Sequence, residues 1–201
     1  MSRSFLISRL FRWLPGFRER VEAAYVWVAW AFGWHGVQAA RAAPRKASAM
    51  TIRTLQFLAI IVSALALIPA GAHLAALPNK INIPQSAYFT VQGIYYGWAI
   101  LGLLWPIALI LHTLLAWLVR SQLWPFWLEA AAAFCFAVML AIFYFWTFPA
   151  NQATANWKTV PENWETLRRQ WEYSHAVNTA LLFVALCSTT LGALSWRTSG
   201  S

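Results

Sequence analysis

The polar, aromatic segment NWETLRRQWEYSHAVN, residues 163–178, continues through Thr179 and Ala180 into the apolar segment LLFVALCSTTLGALSW, residues 181–196, so a polar helix start is predicted to become a membrane-spanning helix without a break. On a helix, six side chains fall on one stripe at alternating spacings of four and three residues: Trp164, Arg168, Trp171, His175, Asn178 and Leu182. Ionisable residues inside a membrane are costly and usually functional, so this stripe predicts a site. The alternative is a surface anchor, since Trp and Arg both favour the membrane surface. Arg169 falls on the far side, where Glu165 can pair with it weakly.

The composition is that of an integral membrane protein. The chain has 201 residues, of which 60% are hydrophobic, 14 are Trp and 10% are charged. A soluble domain has about 25% charged residues. The long apolar runs predict an all-α, antiparallel four-helix transmembrane bundle over residues 50–201. Its spans are predicted at about residues 54–77, 92–119, 125–148 and 172–196.

Residues 1–49 form a predicted basic, Trp-rich interfacial extension with amphipathic character. Nine of the fifteen Lys and Arg residues lie between Arg3 and Arg53. The net charge of +9 therefore indicates attraction to anionic lipid, and not to nucleic acid. The apolar part, residues 21–40, is short and interrupted by polar residues, which favours a surface position over a span. A further hypothesis is that Met50 is the natural start of the protein.

The distribution of basic residues predicts the orientation. One side of the predicted membrane carries Arg41, Arg45, Lys46, Arg53, Arg120 and Arg197. The other side combines three glutamates with Lys80, Lys158, Arg168 and Arg169. Because basic loops stay inside, the first side is expected to be cytoplasmic. The protein is then a multi-pass protein of the bacterial inner membrane with both termini cytoplasmic.

Polar and aromatic side chains gather at the outer ends of the predicted spans. They are His73, Gln92, Tyr95, Tyr96, Asn151, Trp164, Arg168, Trp171 and His175. Their convergence from several spans predicts a polar, aromatic pocket in the outer leaflet. Within the second span, one helical stripe is expected to hold Gln92, Tyr96, Ala99, Leu103 and Pro106.

Two further expectations concern residues inside the predicted spans. A contact of Glu129 with His112 is open as a hypothesis, but a carboxylate extending to the headgroups is favoured. Cys135 and Cys187 are both expected to be small buried hydrophobic residues. No P-loop, dinucleotide-binding loop, serine-centred triad or carboxylate pair is recognisable, which disfavours nucleotide and hydrolase chemistry.

Three motifs resemble the anthrone oxygenase-like family of small four-helix membrane proteins, much of which is catalogued only as a domain of unknown function. They are HLAALPNKI (73–81), FPANQATANW (148–157) and WETLRRQWEYSHAVN (164–178). The resemblance covers residues 50–197. It implies a four-helix bundle and, for some members, oxygenation of a polycyclic phenolic substrate without an obvious metal or flavin motif. The matching positions are Pro78, Asn79, Asn151, Trp164, Arg168, Trp171 and His175.

The first functional hypothesis is an oxygenase-like enzyme that acts on a lipophilic aromatic substrate. The predicted catalytic residues are His175, Arg168 and His73. A histidine would take a proton from an acidic phenol or methylene, Arg168 would hold the anion, and O₂ would enter through the apolar bundle. Substrate binding is assigned to Trp164, Trp171, Asn178, Asn79, Asn151, Gln92 and Tyr96. No metal ligand or cofactor is predicted.

Two other hypotheses stay open. One is a non-catalytic scaffold or accessory subunit of a membrane complex, which would have the pocket filled by its own side chains. The other is a haem or metal protein that uses His73 and His175, although two histidines alone are usually not ligands. The expected partners are membrane lipids, a lipophilic aromatic ligand and other membrane proteins, and not nucleic acid.

Overall fold

The structure is a computed structural model that describes residues 47–198, so the predicted N-terminal extension falls almost wholly outside the described residues. This part of the chain is all-α and contains no strand, which confirms the predicted fold class. Its elements are α1 (Ala49–Lys80), α2 (Gln85–Gln92), two 3₁₀ helices (Gly93–Tyr95 and Trp98–Leu103), α3 (Leu104–Val119), α4 (Leu123–Ile142), a π-helix (Phe143–Thr147), α5 (Phe148–Ala153) and α6 (Trp164–Ser195).

Four helical segments are long and apolar enough to cross a membrane: Ala49–Lys80, Trp98–Val119, Leu123–Ala153 and Trp164–Ser195. Their mean hydropathy is 1.7 to 2.1, yet at most 33% of each apolar window is buried inside the bundle. Most of the apolar side chains therefore face outward. In water they would form an exposed apolar patch much larger than monomeric soluble proteins usually have. The chain has the surface of a multi-pass membrane protein.

The four spanning segments form a closed bundle. α1 packs against α3 and α6, and α4 packs against the same two helices, so the order around the bundle is α1, α3, α4, α6. The core between them is rich in alanine, and its buried members are Ala66, Ala70, Trp105, Ala108, Ala132, Cys135, Phe136, Met139, Leu182 and Ala185. Small residues let helices approach closely inside a membrane, where packing and not water drives association.

The two cysteines differ in their surroundings. Cys135 is buried in this core, as predicted. Cys187 is exposed on α6, so its predicted burial is wrong. An apolar run only indicates that a thiol lies among hydrophobic surroundings, and lipid provides these on the outer face of a spanning helix as well as a protein core does.

α1 begins with a side-chain cap and ends later than the sequence predicts. The Ser48 hydroxyl accepts a hydrogen bond from the Thr51 backbone N–H at 3.0 Å. The helix passes through Pro69 and Pro78 and ends at Lys80. Each proline lacks an N–H and so removes one hydrogen bond of the helix, and Pro78 does this within three residues of the helix end. The extra residues carry the Lys80 side chain into the bundle, where it is buried.

The second span does not begin as a regular α-helix, so the predicted stripe from Gln92 to Pro106 is wrong. α2 ends at Gln92, a short 3₁₀ turn follows, and Gly97 takes a left-handed conformation with a φ of +84°. Residues 98–103 are again 3₁₀. Pro106 has no N–H for the carbonyl four residues earlier, which favours tighter winding in the preceding turn. Tyr96 is consequently 84% exposed.

The third span widens before its proline. α4 passes into the π-helix Phe143–Thr147, and α5 continues through Pro149 to Ala153. A proline ring clashes with the carbonyl four residues earlier, and a π turn is one way for a helix to absorb that clash. The wider turn presents Tyr144, Phe145 and Trp146 on the surface of the bundle.

Candidate functional site

A buried ion pair joins the end of α1 to the third turn of α6. The Lys80 Nζ lies 2.9 Å from Glu172 Oε1, and the two side chains are 5% and 0% exposed. The ammonium group also donates to the Tyr95 hydroxyl at 2.9 Å and lies 5.1 Å from the centre of the Trp171 ring. A buried charge of this kind is stable only when partners surround it, and here aromatic rings and a carboxylate do so.

The tyrosine of α2 extends this network. The Tyr88 hydroxyl donates to Glu172 Oε1 at 3.0 Å, and it accepts a hydrogen bond from Gln92 Nε2. Burial, and then the neighbouring Glu172 carboxylate, raise the pKa of Tyr88 well above its usual range. The phenol therefore stays protonated and acts as a fixed donor to Glu172.

Arg168 lies inside the same end of the bundle. Its guanidinium donates to the Ile83 carbonyl oxygen at 2.9 Å, and its Cζ lies 4.6 Å from the Trp164 ring centre and 5.4 Å from that of Tyr88. The side chain is buried, whereas Arg169 is exposed. The predicted inward position of Arg168 is thus confirmed. Within residues 47–198, neither Arg169 nor Glu165 lies within salt-bridge distance of an oppositely charged group, so the predicted Arg169–Glu165 pair does not form.

Two histidines from different helices stack beside the ion pair. The His73 and His175 ring centres are 4.2 Å apart, with ring planes inclined by 24°. The Trp171 ring meets both of them edge-on, at 5.0 Å and 4.3 Å between ring centres. The Tyr95 ring centre lies 4.3 Å from that of His73. This group of nine residues is termed the Lys80 cluster: His73, Lys80, Tyr88, Gln92, Tyr95, Arg168, Trp171, Glu172 and His175.

A strained loop places one more aromatic ring against the Lys80 cluster. Ala155, Asn156 and Trp157 have φ values of +46°, +56° and +63°, a left-handed conformation that costs about 1–2 kcal/mol per non-glycine residue. Thr154 holds the loop, because its hydroxyl accepts from the Trp157 N–H at 3.1 Å. The Trp157 ring then packs against Tyr88 and Trp171, with ring centres 5.2 Å and 5.8 Å away.

Several predicted site residues come together here. His73, Gln92, Arg168, Trp171 and His175 all belong to the Lys80 cluster, and Trp164 covers the Arg168 guanidinium. The helical stripe of α6 thus brings its polar face to the ends of α1 and α2.

Other predicted site residues lie elsewhere. Asn79 and Tyr96 are exposed, so neither lines this region. Asn151 accepts from Trp157 Nε1 at 3.2 Å and reaches the cluster through that ring. Asn178 is buried further along α6, where its amide lies 3.5 Å from the Met139 carbonyl oxygen.

The two residues at the centre of the network, Lys80 and Tyr88, are not among the predicted site residues. Lys80 lies beyond the predicted end of the first span at about residue 77, and Tyr88 lies between the first two predicted spans. One usable signal was Glu172, which lies one turn after Arg168 in the stretch that enters the membrane. An intramembrane carboxylate needs a named partner, and that requirement points to the nearest basic residue at the same level, Lys80.

Five polar atoms of the Lys80 cluster are buried without a hydrogen-bond partner among the described residues. They are His73 Nδ1, Gln92 Oε1, Arg168 Nε, Trp171 Nε1 and Glu172 Oε2. In folded proteins nearly all such atoms are paired, and exceptions concentrate where a protein binds or reacts. These atoms include both donors and acceptors, so a polar molecule can bond to the cluster in more than one way.

The predicted outer pocket is filled by side chains of the protein itself. The ring contacts between Trp157, Trp171, Tyr95 and the two histidines occupy its centre. One groove of about 550 Å³ lies instead on the other face of α6, lined by Ile142, Trp146, Thr166, Arg169, Gln170, Tyr173, Ser174 and Val177. The half-buried Trp164 ring lies over the Arg168 guanidinium at the edge of the cluster.

A second buried polar group lies toward the other end of the bundle. Glu129 Oε2 is 2.8 Å from His112 Nδ1, and both side chains are almost fully buried. The favoured prediction of a carboxylate extending to the headgroups is therefore wrong. Partners from neighbouring helices satisfy this carboxylate inside the bundle, which removes the reason for it to reach the surface.

No family model, curated protein or solved structure matches this chain.

Proposed function

We propose that this protein is a membrane enzyme whose Lys80 cluster binds a lipophilic aromatic molecule as an anion and removes a proton from it. The observation that supports this is the charge of the cluster. Lys80 and Arg168 are two buried cations, and among residues 47–198 Glu172 is the one buried carboxylate in contact with them. An anionic ligand would balance the remaining positive charge in a region of low dielectric.

The two histidines provide the base. A polycyclic phenol or an acidic methylene next to a carbonyl loses a proton to an imidazole nitrogen, and Arg168 and Lys80 stabilise the negative oxygen that results. Stacked, nearly parallel rings direct their nitrogen lone pairs side by side and not toward one point. This geometry suits exchange of a proton with a flat ligand better than ligation of one metal ion by both rings.

The resemblance to anthrone oxygenase-like proteins extends the proposal to oxygenation. The carbanion left by proton removal adds O₂ to form a hydroperoxide, which loses water to give a ketone. In sum, a methylene group and O₂ give a carbonyl group and water, with O₂ as the oxidant. The apolar bundle dissolves O₂ and aromatic molecules, which supports a reaction at this position.

The proposal places the protein in the bacterial inner membrane with both termini cytoplasmic. The excess of basic residues before residue 54 and at Arg120 supports this orientation. The Lys80 cluster then lies at the outer face of the membrane, where an amphiphilic aromatic molecule would partition near the headgroups.

The test is O₂ consumption and quinone formation from a dihydroxyanthrone by the full chain in lipid nanodiscs. The wild-type protein is expected to exceed the rate in empty nanodiscs. His175→Ala or His73→Ala is expected to lower the rate by about 100-fold or more, as for loss of a general base. Arg169→Ala, on the exposed side of α6, is the control and should keep the wild-type rate. A wild-type rate equal to that of empty nanodiscs would contradict the oxygenase proposal.

A second candidate function is that of an accessory subunit, and the filled pocket favours it. Rings from α1, α6 and the 154–157 loop occupy the space where a substrate would lie. In this case the Lys80 cluster would fix the helix ends, and the exposed aromatic rings of the π-helix would meet a partner. Co-purification of one membrane protein in a fixed ratio, lost on Trp146→Ala but not on His175→Ala, would support this function over the enzyme.

A further inference from the structure

A chain of hydrogen bonds links one residue from each of the four spanning helices. Ser63 Oγ lies 3.0 Å from His112 Nε2, and His112 Nδ1 lies 2.8 Å from Glu129 Oε2. The other oxygen of this carboxylate, Oε1, accepts from the Thr189 hydroxyl at 2.9 Å. This group is termed the Ser63 chain: Ser63, His112, Glu129 and Thr189. It includes no residue of the Lys80 cluster.

The order of groups in the Ser63 chain is that of a nucleophile, a base and an orienting carboxylate. In the tautomer with the proton on Nδ1, His112 donates to Glu129, and its free Nε2 accepts from the Ser63 hydroxyl. Such triads are recognised by geometry and roles and not by position in the sequence. The three residues are 49 and 17 positions apart, which explains why no motif predicted a serine-centred triad.

The surroundings hold the carboxylate in place. Thr189 bonds to one oxygen, and Gly192 leaves room for it, because a Cβ at that position would lie 3.1 Å from Glu129 Oε1. The Phe136 ring stacks on the His112 ring with centres 5.4 Å apart and planes inclined by 16°. The imidazole is therefore fixed in the orientation that faces Ser63.

We propose that Ser63 is a histidine-activated nucleophile that accepts an acyl group from an ester dissolved in the membrane. The Ser63 oxygen forms a bond to the ester carbonyl carbon, the bond from that carbon to the alcohol oxygen breaks, and His112 passes the serine proton to the departing alcohol. Ser63 lies within α1, whose backbone N–H groups bond within the helix. Without free N–H donors for the oxyanion, transfer is expected to be about 10²–10³-fold slower than in enzymes that have them.

The location of the Ser63 chain defines the class of acyl donor. Its four side chains are at most 1% exposed, and the helices around them present apolar faces outward. A donor must therefore arrive through the bilayer and pass between helices that part transiently. This requirement selects a fatty acyl ester over any water-soluble ester.

The test is labelling of the full chain in nanodiscs with an alkyl fluorophosphonate. The reagent forms an oxygen–phosphorus bond to an activated serine and loses fluoride, and peptide mapping locates the adduct. We expect a single time-dependent adduct on Ser63 that Ser63→Ala abolishes. The control Ser188→Ala, next to Thr189 on α6, should leave it unchanged. A folded wild-type protein that gives no adduct on Ser63 would overturn the proposal.

Two variants test whether His112 and Glu129 activate the Ser63 hydroxyl or only form hydrogen bonds near it. His112→Ala is expected to slow the adduct on Ser63 by about 100-fold or more. Glu129→Gln keeps the shape of the side chain and can still accept from Thr189, but it is expected to slow labelling by at least about tenfold, because an amide stabilises the imidazolium poorly. Should His112→Ala fail to fold, Glu129→Gln decides. Labelling of Ser63 at the wild-type rate in the folded variants would show that the hydrogen bonds serve packing alone.

Discussion

The residue that best explains the Lys80 cluster is Glu172. Its Oε1 accepts both the Tyr88 hydroxyl and the Lys80 ammonium, so one carboxylate oxygen links α1, α2 and α6. The net contribution of such a buried pair to stability is small, since desolvation offsets most of the attraction. Removing one partner is different, because it leaves an uncompensated charge inside the bundle.

This asymmetry predicts the outcome of a double-mutant cycle. Lys80→Met is expected to lower the free energy of unfolding by about 3–5 kcal/mol, because it strands the Glu172 carboxylate. Lys80→Met combined with Glu172→Gln is expected to lose less than Lys80→Met alone, because no buried charge is then unpaired. The measurement is unfolding in mixed detergent micelles followed by circular dichroism.

The matched control for that cycle is Lys158→Met, because Lys158 is exposed. It should change the free energy of unfolding by no more than about 0.5 kcal/mol. Equal losses for Lys80→Met and Lys158→Met would show that the ion pair contributes nothing to the fold.

At the scale of elements, the break between α2 and α3 determines which residues of this segment reach the Lys80 cluster. A continuous helix from Gln92 to Val119 would direct Tyr95 and Gln92 along the span. The helix is instead interrupted at Gly97, and the residues before it join the cluster: Tyr95 accepts from Lys80, and Tyr88 bonds to Glu172 and Gln92. The arrangement of the cluster therefore depends on one residue that tolerates a positive φ.

Gly97→Ala is expected to destabilise the protein by about 1–2 kcal/mol, since a Cβ is disfavoured at a φ of +84°. Nothing lies within 4 Å of the added atom, so the cost would come from the backbone and not from a clash. Thermal unfolding measured by circular dichroism gives the difference.

Gly102→Ala serves as the reference, because its added Cβ also meets nothing within 4 Å and its φ is not positive. Its melting temperature should be unchanged or higher. A Gly97→Ala variant as stable as Gly102→Ala would mean that the turn is not fixed by this residue.

The helices also show which parts of the fold and of the candidate site can be predicted from sequence patterns. The apolar runs identify the four spans, because hydropathy is a local property that persists over twenty residues. The helical stripe of α6 correctly places Arg168, Trp171 and His175 inward. The predicted positions of Tyr96 and Glu129 are wrong. The exposure of Tyr96 depends on the helix break at Gly97, and the burial of Glu129 depends on its partners His112 and Thr189 from other helices. Lys80 and Tyr88 could be predicted only by pairing Glu172 with a cation from another helix.

At the scale of the whole molecule, the distribution of charge predicts which ends face outward. Single cysteines replacing Asn82 and Thr159, in a chain that lacks Cys135 and Cys187, are expected to react with a membrane-impermeant maleimide on intact cells. Both positions are exposed and lie at the end of the bundle that holds the Lys80 cluster. A cysteine replacing Ser121, in the turn between α3 and α4, is expected to react only after the membrane is opened.

Labelling of residue 121 on intact cells, together with protection of residues 82 and 159, would reverse the orientation and place the Lys80 cluster at the cytoplasmic face. Labelling of only one of residues 82 and 159 would contradict the antiparallel four-span topology.

Binding of an anionic aromatic molecule at the Lys80 cluster can be measured directly as equilibrium binding of a dihydroxyanthraquinone to nanodisc-embedded protein, followed by quenching of tryptophan fluorescence. We expect saturable binding that Arg168→Ala weakens by at least about tenfold, the equivalent of one charge-assisted hydrogen bond. Its neighbour Arg169 is exposed, and Arg169→Ala should change the dissociation constant by no more than about twofold. If the folded variants bind equally well, or if the wild-type protein does not bind, the Lys80 cluster is not a site for an anionic aromatic molecule.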